Sequence, residues 1–190
     1  MLKHATRGFS LIELMVTTAL IAILLAIVAP SLTTFQRNAE LTSFANNFVS
    51  SMNAARSEAM KRGQYALVVP ADGVNWSSGL IAFVDVNRTQ VYDAASDTVI
   101  SKREAAPGYL SISGTGVSTA AAPYIMFDAQ GYSKDKSLAP SALTLNIART
   151  DVGGSELYNQ TRRIKISFPG RIRVCKPTSA ADATCAATGS

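Results

Sequence analysis

The feature that most constrains this chain is an apolar run near its N-terminus, from Phe9 to Ala29, which contains a single charge at Glu13. About 20 apolar residues let a helix cross a bilayer, so the length of this run fits a membrane span. The flank before it is short and basic, with Lys3 and Arg7. Because an excess of Lys and Arg marks the cytoplasmic side, the sequence predicts an N-terminus that stays inside and an exported remainder.

Two features of the apolar run argue against an ordinary secretory signal. The run is longer than a signal core, and it continues into a helical pattern without a clear cleavage site. Its carboxylate is also costly, since a charge within the hydrocarbon costs roughly 2.5–3.5 kcal/mol on insertion scales. Glu13 is either tolerated close to the interface or meets a positive group in an assembly.

The segment from Arg7 to Pro30, RGFSLIELMVTTALIAILLAIVAP, resembles the N-terminus of type IV pilins and type II secretion pseudopilins. The resemblance implies a leader, residues 1–8, that a prepilin peptidase removes between Gly8 and Phe9 before it methylates the new amine of Phe9. It also implies that Glu13 pairs with the N-terminal amine of a neighbouring subunit as helices stack into a filament. Loss of Lys3 and Arg7 would lower the formal net charge from +5 to +3 (5 − 2 = 3).

A long helix is predicted over residues 9–62, with the membrane-spanning part at about 9–29 and an amphipathic part at 30–62. Pro30 predicts a kink, because proline removes one backbone hydrogen bond and clashes with the preceding turn. Beyond it, apolar residues recur at a spacing of three or four, which predicts a stripe that packs on the protein's own head. The stripe consists of Leu41, Phe44, Phe48, Met52, Ala55 and Ala59.

After Gly63 the pattern changes to short alternating runs separated by turn residues, which predicts a β-rich head over residues 63–190 with a flexible C-terminal tail. The fold class is therefore α+β, with a long N-terminal helix packed on antiparallel sheets. A chain of 190 residues that is 47% apolar can fill one ordinary domain.

Two stretches of the head, AARSEAMKRG from Ala54 and VNWSSGLIAFVDVNR from Val74, resemble minor pilins and pseudopilins of the GspH/FimT family. Members of that branch sit at the filament tip or prime its assembly, so the resemblance implies other major and minor pilins as partners. Trp76 within the second stretch is expected to pack in the head rather than to bind a ligand.

The sequence offers little chemistry for catalysis. The only histidine, His4, lies in the predicted leader, and no phosphate-binding loop or metal-ligand spacing occurs. We therefore expect neither an enzyme nor a cofactor nor a metal site. Oxygen ligands for Ca²⁺ are conceivable in one acidic loop, but the same residue types are ordinary turn formers, which is the favoured interpretation. They are Asp85, Asn87, Asp93 and Asp97.

The stretch TRRIKISFPGRIRVCKP, from Thr161 to Pro177, is rich in cations and contains no acidic residue. Pro169–Gly170 predicts a turn between two strands. Strand alternation places Arg163 and Lys165 on one face, opposite Ile164, Ile166 and Phe168. Across the turn, Arg171 and Arg173 share a face, with Ile172 and Val174 on the other, so that one face of the hairpin is basic and the other apolar. For an arbitrary protein, the favoured interpretation is a solvated edge hairpin whose charges discourage aggregation.

The four residues GRIR, Gly170 to Arg173, match a G-R-x-R motif near the C-terminus of FimT minor pilins, which bind DNA for uptake in natural transformation. The resemblance implies that Arg171 and Arg173 contact DNA phosphates without reading sequence. No aromatic residue is interleaved with the cations, so we expect backbone contact rather than base stacking. The implied site also includes Gly170, Lys176, Lys165, Arg163 and Arg162.

The two cysteines, Cys175 and Cys185, lie close together in the chain. In an exported protein such a pair forms a local disulfide, whereas in a cytosolic protein free thiols are the rule. A disulfide here would hold the tail beside the basic hairpin.

Three functions share these features: a DNA-uptake minor pilin, a structural minor pilin that primes or caps the filament, and a GspH-like pseudopilin of type II secretion. All of them imply an inner-membrane protein of a Gram-negative bacterium with its head in the periplasm, which later becomes part of a filament. In a pilus we expect it at the tip. The basic hairpin favours the first.

Overall fold

The computed structural model describes residues 8–188, except for the side chains of residues 27–30. Helix α1 spans Leu11–Arg62, and the short helix α2 spans Glu156–Asn159. The strands of this part of the chain are β1 Tyr65–Pro70, β2 Leu80–Asp85, β3 Thr98–Arg103, β4 Leu110–Gly114, β5 Ile125–Phe127, β6 Ser133–Lys134, β7 Leu143–Arg149, β8 Thr161–Ile166 and β9 Ile172–Cys175.

The chain divides into two compact units, of which the first ends at Ala39 and the second begins at Glu40. This boundary lies inside α1, whereas the sequence predicted a division at the end of the helix. The reason is that the amphipathic stripe of α1 is part of the core of the second unit, which we call the head.

In the first unit, α1 begins with a capped turn. The Ser10 hydroxyl accepts a hydrogen bond of 3.2 Å from the backbone N–H of Glu13. A serine followed three residues later by a glutamate is a capping-box pattern, and a carboxylate in the first turn also complements the helix dipole. The apolar side chains of this unit are largely exposed, with Phe9 at 80%.

No single helix of the described chain is long and apolar enough to cross a membrane. The segments Leu11–Ala26 and Ser31–Arg62 meet that criterion, by length and composition, only when they are taken together across a bend. The side chain of Pro30 lies outside the described residues, so the kink assigned to it stays a prediction.

The head contains two antiparallel sheets. One has five strands in the order β3-β2-β1-β5-β6, and the other has four in the order β4-β7-β8-β9. Within residues 8–188, strand β9 is therefore an edge strand that pairs only with β8.

A single large core joins the C-terminal half of α1 to both sheets. Leu41, Phe48 and Met52 of the predicted stripe are completely buried, and Phe44 packs at the margin. From the sheets, the core receives every second side chain, as a pleated strand requires, and on the other face of the five-stranded sheet Leu67, Phe83 and Met126 belong to a smaller buried cluster. The side chains that the sheets contribute to the large core include Ala66, Val68, Leu80, Ala82, Ile125, Phe127, Leu143, Leu145, Ile147, Ile164 and Ile166.

Trp76 joins the same core. It is 3% exposed, and its indole N–H donates a hydrogen bond of 3.0 Å to the carbonyl of Ser118. The tryptophan is a packing residue with a satisfied polar atom, as its sequence context predicts.

Candidate functional site

The β8–β9 hairpin separates its cations from its apolar residues. Directly opposed pairs share a face in an antiparallel ladder, and Lys165 lies opposite Arg173 while Ile164 lies opposite Val174. Arg163 lies opposite Cys175 on the basic face. The two faces that strand alternation predicted are therefore present.

The loop of the hairpin is closed by Gly170. Its N–H donates to the carbonyl of Ser167 at 2.8 Å, and the N–H of Ser167 donates to the carbonyl of Arg171 at 3.1 Å. The φ of Gly170 is 78°, a left-handed conformation that glycine adopts at no steric cost. The turn predicted at Pro169–Gly170 is thus present, with Pro169 inside it and Gly170 as its last residue.

Phe168 does not lie on the apolar face as expected. Strand β8 ends at Ile166, so the alternation stops before it reaches residue 168, and the phenyl ring is 58% exposed in the loop. An exposed aromatic ring therefore follows the basic strand directly, which the sequence reasoning did not foresee.

Gly170 packs against the loop that precedes β6. A Cβ added to it would lie 1.8 Å from the carbonyl oxygen of Gly131 and 2.7 Å from Nε of Arg56. Arg56 donates from Nε to the carbonyl of Gly131 at 2.8 Å and from Nη2 to that of Pro169 at 3.3 Å. The glycine of the GRIR motif is thus a packing residue, and Arg56 of the helical ARSEA stretch holds it in place.

The predicted site residues differ widely in exposure. Arg171, Arg173 and Lys176 are exposed, and within the described part of the chain none of them forms a salt bridge. A cavity of about 240 Å³ opens beside the arginines. Its lining consists of Lys165, Ser167, Arg171 and Arg173.

Arg163 and Lys165 are buried, with exposures of 7% and 4%. The prediction that they widen an open basic patch is wrong for this conformation, because C-terminal residues lie over them. Arg163 donates from Nη1 to the carbonyl of Cys185, and Lys165 donates from Nζ to that of Ala186 at 3.2 Å.

The covering segment is tied to β9 by a disulfide between Cys175 and Cys185, whose Cα atoms are 5.8 Å apart. Burial lowers the pKa of Lys165, and the neighbouring positive charges of Arg173 and Arg163 lower it further. The ammonium group is therefore crowded by like charges in a site with little water.

Arg162 also lies away from the exposed cations. It pairs with Ile147 of β7, and its Nη2 donates to the hydroxyl of Thr42 on α1 at 3.0 Å. Burial lowers its pKa. Arg162 therefore lies on the face opposite to that of Arg163 and Lys165, because odd and even residues of a strand face opposite sides of the sheet, and its contact with DNA stays a prediction.

The acidic loop between β2 and β3 is held by its own backbone. Asp85 accepts hydrogen bonds from the N–H groups of Thr89 and Gln90, and Asp97 accepts from those of Val86 and Asp93. The carboxylates thus act as turn formers. No group of three or more potential ligands is placed to hold a metal ion among the residues the structure describes.

At the other end of the chain, Gly8 and Phe9 precede α1 and are exposed. Residues 1–7, including Lys3, His4 and Arg7, lie outside the described residues. The predicted cleavage and methylation at Gly8–Phe9 therefore stay predictions.

Comparison with protein families now assigns the chain. A family model described as type II transport protein GspH matches residues 45–170, which include both head motifs and the hairpin turn. This chain belongs to the GspH family. A second model, the prokaryotic N-terminal methylation motif, matches residues 3–29.

Solved structures agree with this fold. The type IV minor pilin FimU of Pseudomonas aeruginosa has a TM-score of 0.53 at 20% identity, over 76% of this chain and 99% of that one. A second crystal form of FimU gives 0.50 at 22%, over 79% and 98%. The minor pseudopilin EpsH of Vibrio cholerae gives 0.46 at 14%, over 74% and 98%, a likeness too low to support an argument.

A search of curated protein sequences gave no match. The GspH assignment, the α+β fold and the methylation motif confirm the resemblance predicted from sequence. The chain is thus a GspH-family protein with a fold like that of FimU, and it carries a prokaryotic N-terminal methylation motif at the start of its long helix.

Proposed function

We propose that this GspH-family protein is a minor type IV pilin that binds double-stranded DNA without sequence preference for uptake in natural transformation. The observation that carries the proposal is a set of exposed cations along the edge of the sheet, Arg173 in β9 with Arg171 just before it and Lys176 just after it, none of which forms a salt bridge in the described chain. Guanidinium groups on an edge strand offer several fixed donors to phosphate oxygens, which is how proteins hold a DNA backbone.

The shape of the hairpin supports phosphate contact. The cavity beside Arg171 and Arg173 is concave and is lined by three cations and the polar residue Ser167. The packing of Gly170 on Gly131 fixes the loop that carries Arg171, and the ladder with β8 fixes Arg173. A positioned pair of arginines loses less side-chain freedom on binding than a pair on a flexible tail.

The test is a titration of the full chain in detergent micelles with labelled duplex DNA at two salt concentrations. We expect weak binding to several DNA duplexes of unrelated sequence. The affinity should fall steeply as the salt concentration rises, because each phosphate contact releases counterions. The variant Arg171→Gln/Arg173→Gln should lose at least tenfold in affinity. The matched control is Arg88→Gln/Lys102→Gln, which removes two exposed cations, one from the loop after β2 and one from β3, and should bind like the wild type.

Equal loss in both variants would mean that net charge alone binds DNA, and no loss in either would remove the hairpin as a DNA site. Either result would favour the second candidate function, which is that of a structural subunit of a type II secretion pseudopilus or of a pilus tip. The specific observation in its favour is the family model itself, whose description is a type II transport protein.

The proposed life cycle follows from the N-terminal motif. We propose that a prepilin peptidase cleaves between Gly8 and Phe9 and methylates Phe9, that the head lies in the periplasm of a Gram-negative bacterium, and that the chain then enters the filament, at or close to its tip. In the filament, the Glu13 carboxylate would meet the N-terminal amine of a neighbouring pilin.

A further inference from the structure

The last described residues, 176–188, form a bent segment that we call the tail. Its curvature is set by Asp182, whose carboxylate accepts hydrogen bonds from the backbone N–H groups of Thr178, Thr184 and Cys185. Cys185 is 2% exposed and is bonded to Cys175 of β9. The tail is thus a closed loop that returns onto the strand it leaves.

What the tail covers is the basic face of β8. Lys165 donates to the carbonyls of Ala186 at 3.2 Å and Thr188 at 3.4 Å, and Arg163 donates to that of Cys185. These acceptors are neutral backbone groups. A carbonyl can accept a hydrogen bond from a cation but carries no opposite charge, so the tail satisfies donors of the two cations without neutralising them.

The two covered cations are poorly compensated. Neither forms a salt bridge among the residues that the structure describes, and Nε of Arg163 is buried there without any acceptor. Burying a charge without an opposite charge costs several kcal/mol. The covered state therefore depends on something other than electrostatics, and the disulfide supplies it by fixing Cys185 next to β9.

We propose that the tail is a removable cover, held by the Cys175–Cys185 disulfide, over a cryptic polyanion surface formed by Arg163 and Lys165. With the disulfide formed, the hairpin displays only Arg171, Arg173 and Lys176. With it reduced, the tail carbonyls are displaced and the displayed set grows from three cations to five. The proposal rests on the proposed function only in naming DNA as the polyanion.

Opening requires a dithiol as reductant. One of its thiolates attacks a sulfur of the disulfide and forms a mixed disulfide, and its second thiol then closes the oxidised reductant. Two electrons and two protons pass to Cys175 and Cys185, which leave the step as free thiols.

The cover itself is tested by the chemical reactivity of Lys165 in the full chain in detergent micelles. An amine-acetylating reagent and peptide mass spectrometry measure Lys165 relative to Lys61, whose side chain is 75% exposed. We expect a rise of at least tenfold in the relative reactivity of Lys165 on reduction, and the same in Cys175→Ser/Cys185→Ser. Fluorescence of the buried Trp76 shows in each sample whether the core remains folded.

A second variant guards against loss of folding in the cysteine mutant. Asp182→Ala keeps the disulfide but removes the acceptor that bends the tail, so the relative reactivity of Lys165 should rise several-fold. If Lys165 stays protected in the reduced wild type and in both variants, the tail is not a removable cover. If Lys165 already reacts like Lys61 in the oxidised chain, there is no cover at all.

The polyanion is tested with duplex DNA on the same samples. The slope of log affinity against log salt should steepen by about 2 on reduction, since each added phosphate contact contributes about 0.9. If Lys165 becomes reactive on reduction but the salt slope of DNA binding does not change, the covered cations do not bind DNA. The proposal for the exposed patch would then be unaffected. If DNA binds the reduced chain and not the oxidised chain, the exposed cations are not the DNA site, and the cations under the tail are.

Discussion

At the scale of single residues, Gly170 occupies a position that no other residue fits. Its φ of 78° is strained for any side chain, and its Cα faces the carbonyl of Gly131 at a distance that leaves no room for a Cβ. The alanine substitution therefore forces either the loop or the Arg56 clamp to move.

We expect Gly170→Ala to lower the free energy of unfolding of the head by at least about 2 kcal/mol, as strain and a backbone clash combine. Gly153→Ala is the control, because that glycine has open space around its Cβ position and no positive φ. Urea denaturation monitored by Trp76 fluorescence measures the free energy of unfolding of both variants. Equal stability of the two variants would contradict the packing role.

Glu13 has two separable roles. The cap of α1 uses its backbone N–H, which bonds Ser10, whereas the proposed filament contact uses its carboxylate. Glu13→Gln should leave the head as stable as the wild type and reduce the amount of the chain in sheared filaments at least tenfold. Glu104→Gln in the head is the matched control, and normal incorporation of Glu13→Gln would remove the carboxylate from the assembly model.

At the scale of elements, the tail depends on one carboxylate. Hydrogen bonds, first from the Thr184 hydroxyl and then from the N–H of Thr178, lower the pKa of Asp182 far below its ordinary value of 3.8. A lowered folded-state pKa means that the stabilisation is fully present above the ordinary value and is lost as the pH falls below it.

The tail should therefore loosen in Asp182→Asn at neutral pH and in the wild type only below about pH 4, where an ordinary aspartate protonates. Hydrogen–deuterium exchange of the peptide covering residues 178–188, corrected for the intrinsic pH dependence, measures this. Asp72→Asn is the control, because Asp72 caps a separate loop through Val74 and Asn75. Faster exchange of the tail in that control would mean that the effect is not local.

At the scale of the whole molecule, the two compact units predict independent behaviour. Phe48 is completely buried in the head core, whereas Phe35 belongs to the first unit and is 70% exposed. Phe48→Ala should destabilise the head by about 3–5 kcal/mol, which is typical of a deleted core aromatic ring. Phe35→Ala should leave the unfolding transition of the head, measured by urea denaturation, unchanged. If both variants lose a similar amount of unfolding free energy, the two units fold as one.

Some of this architecture was accessible from sequence, because local patterns carry it. The period of the stripe in α1 and the alternation in β8 and β9 follow from backbone geometry, so the helix, the β-rich head and the two faces of the hairpin were predicted. The N-terminal motif and the two head stretches likewise carried the resemblance that the methylation and GspH models confirm.

Which cations of the hairpin are exposed and which are buried could not be predicted from the sequence. Arg163, Lys165 and Arg173 have the same charge and almost the same sequence context, yet the first two are buried and the third is exposed. The contacts that separate them link residues about 20 positions apart in Arg163–Cys185 and Lys165–Ala186, and 113 apart in Arg56–Pro169. No local pattern encodes such pairs.

The sequence by itself determined the family, the secondary structure and which face of the hairpin is basic, because charge and periodicity are properties of neighbouring residues. Only the tertiary structure decided which of those cations reach solvent and that Gly170 serves packing. Burial depends on the segments that fold over a residue, and here the disulfide-closed tail and the Gly131 loop do so from elsewhere in the chain.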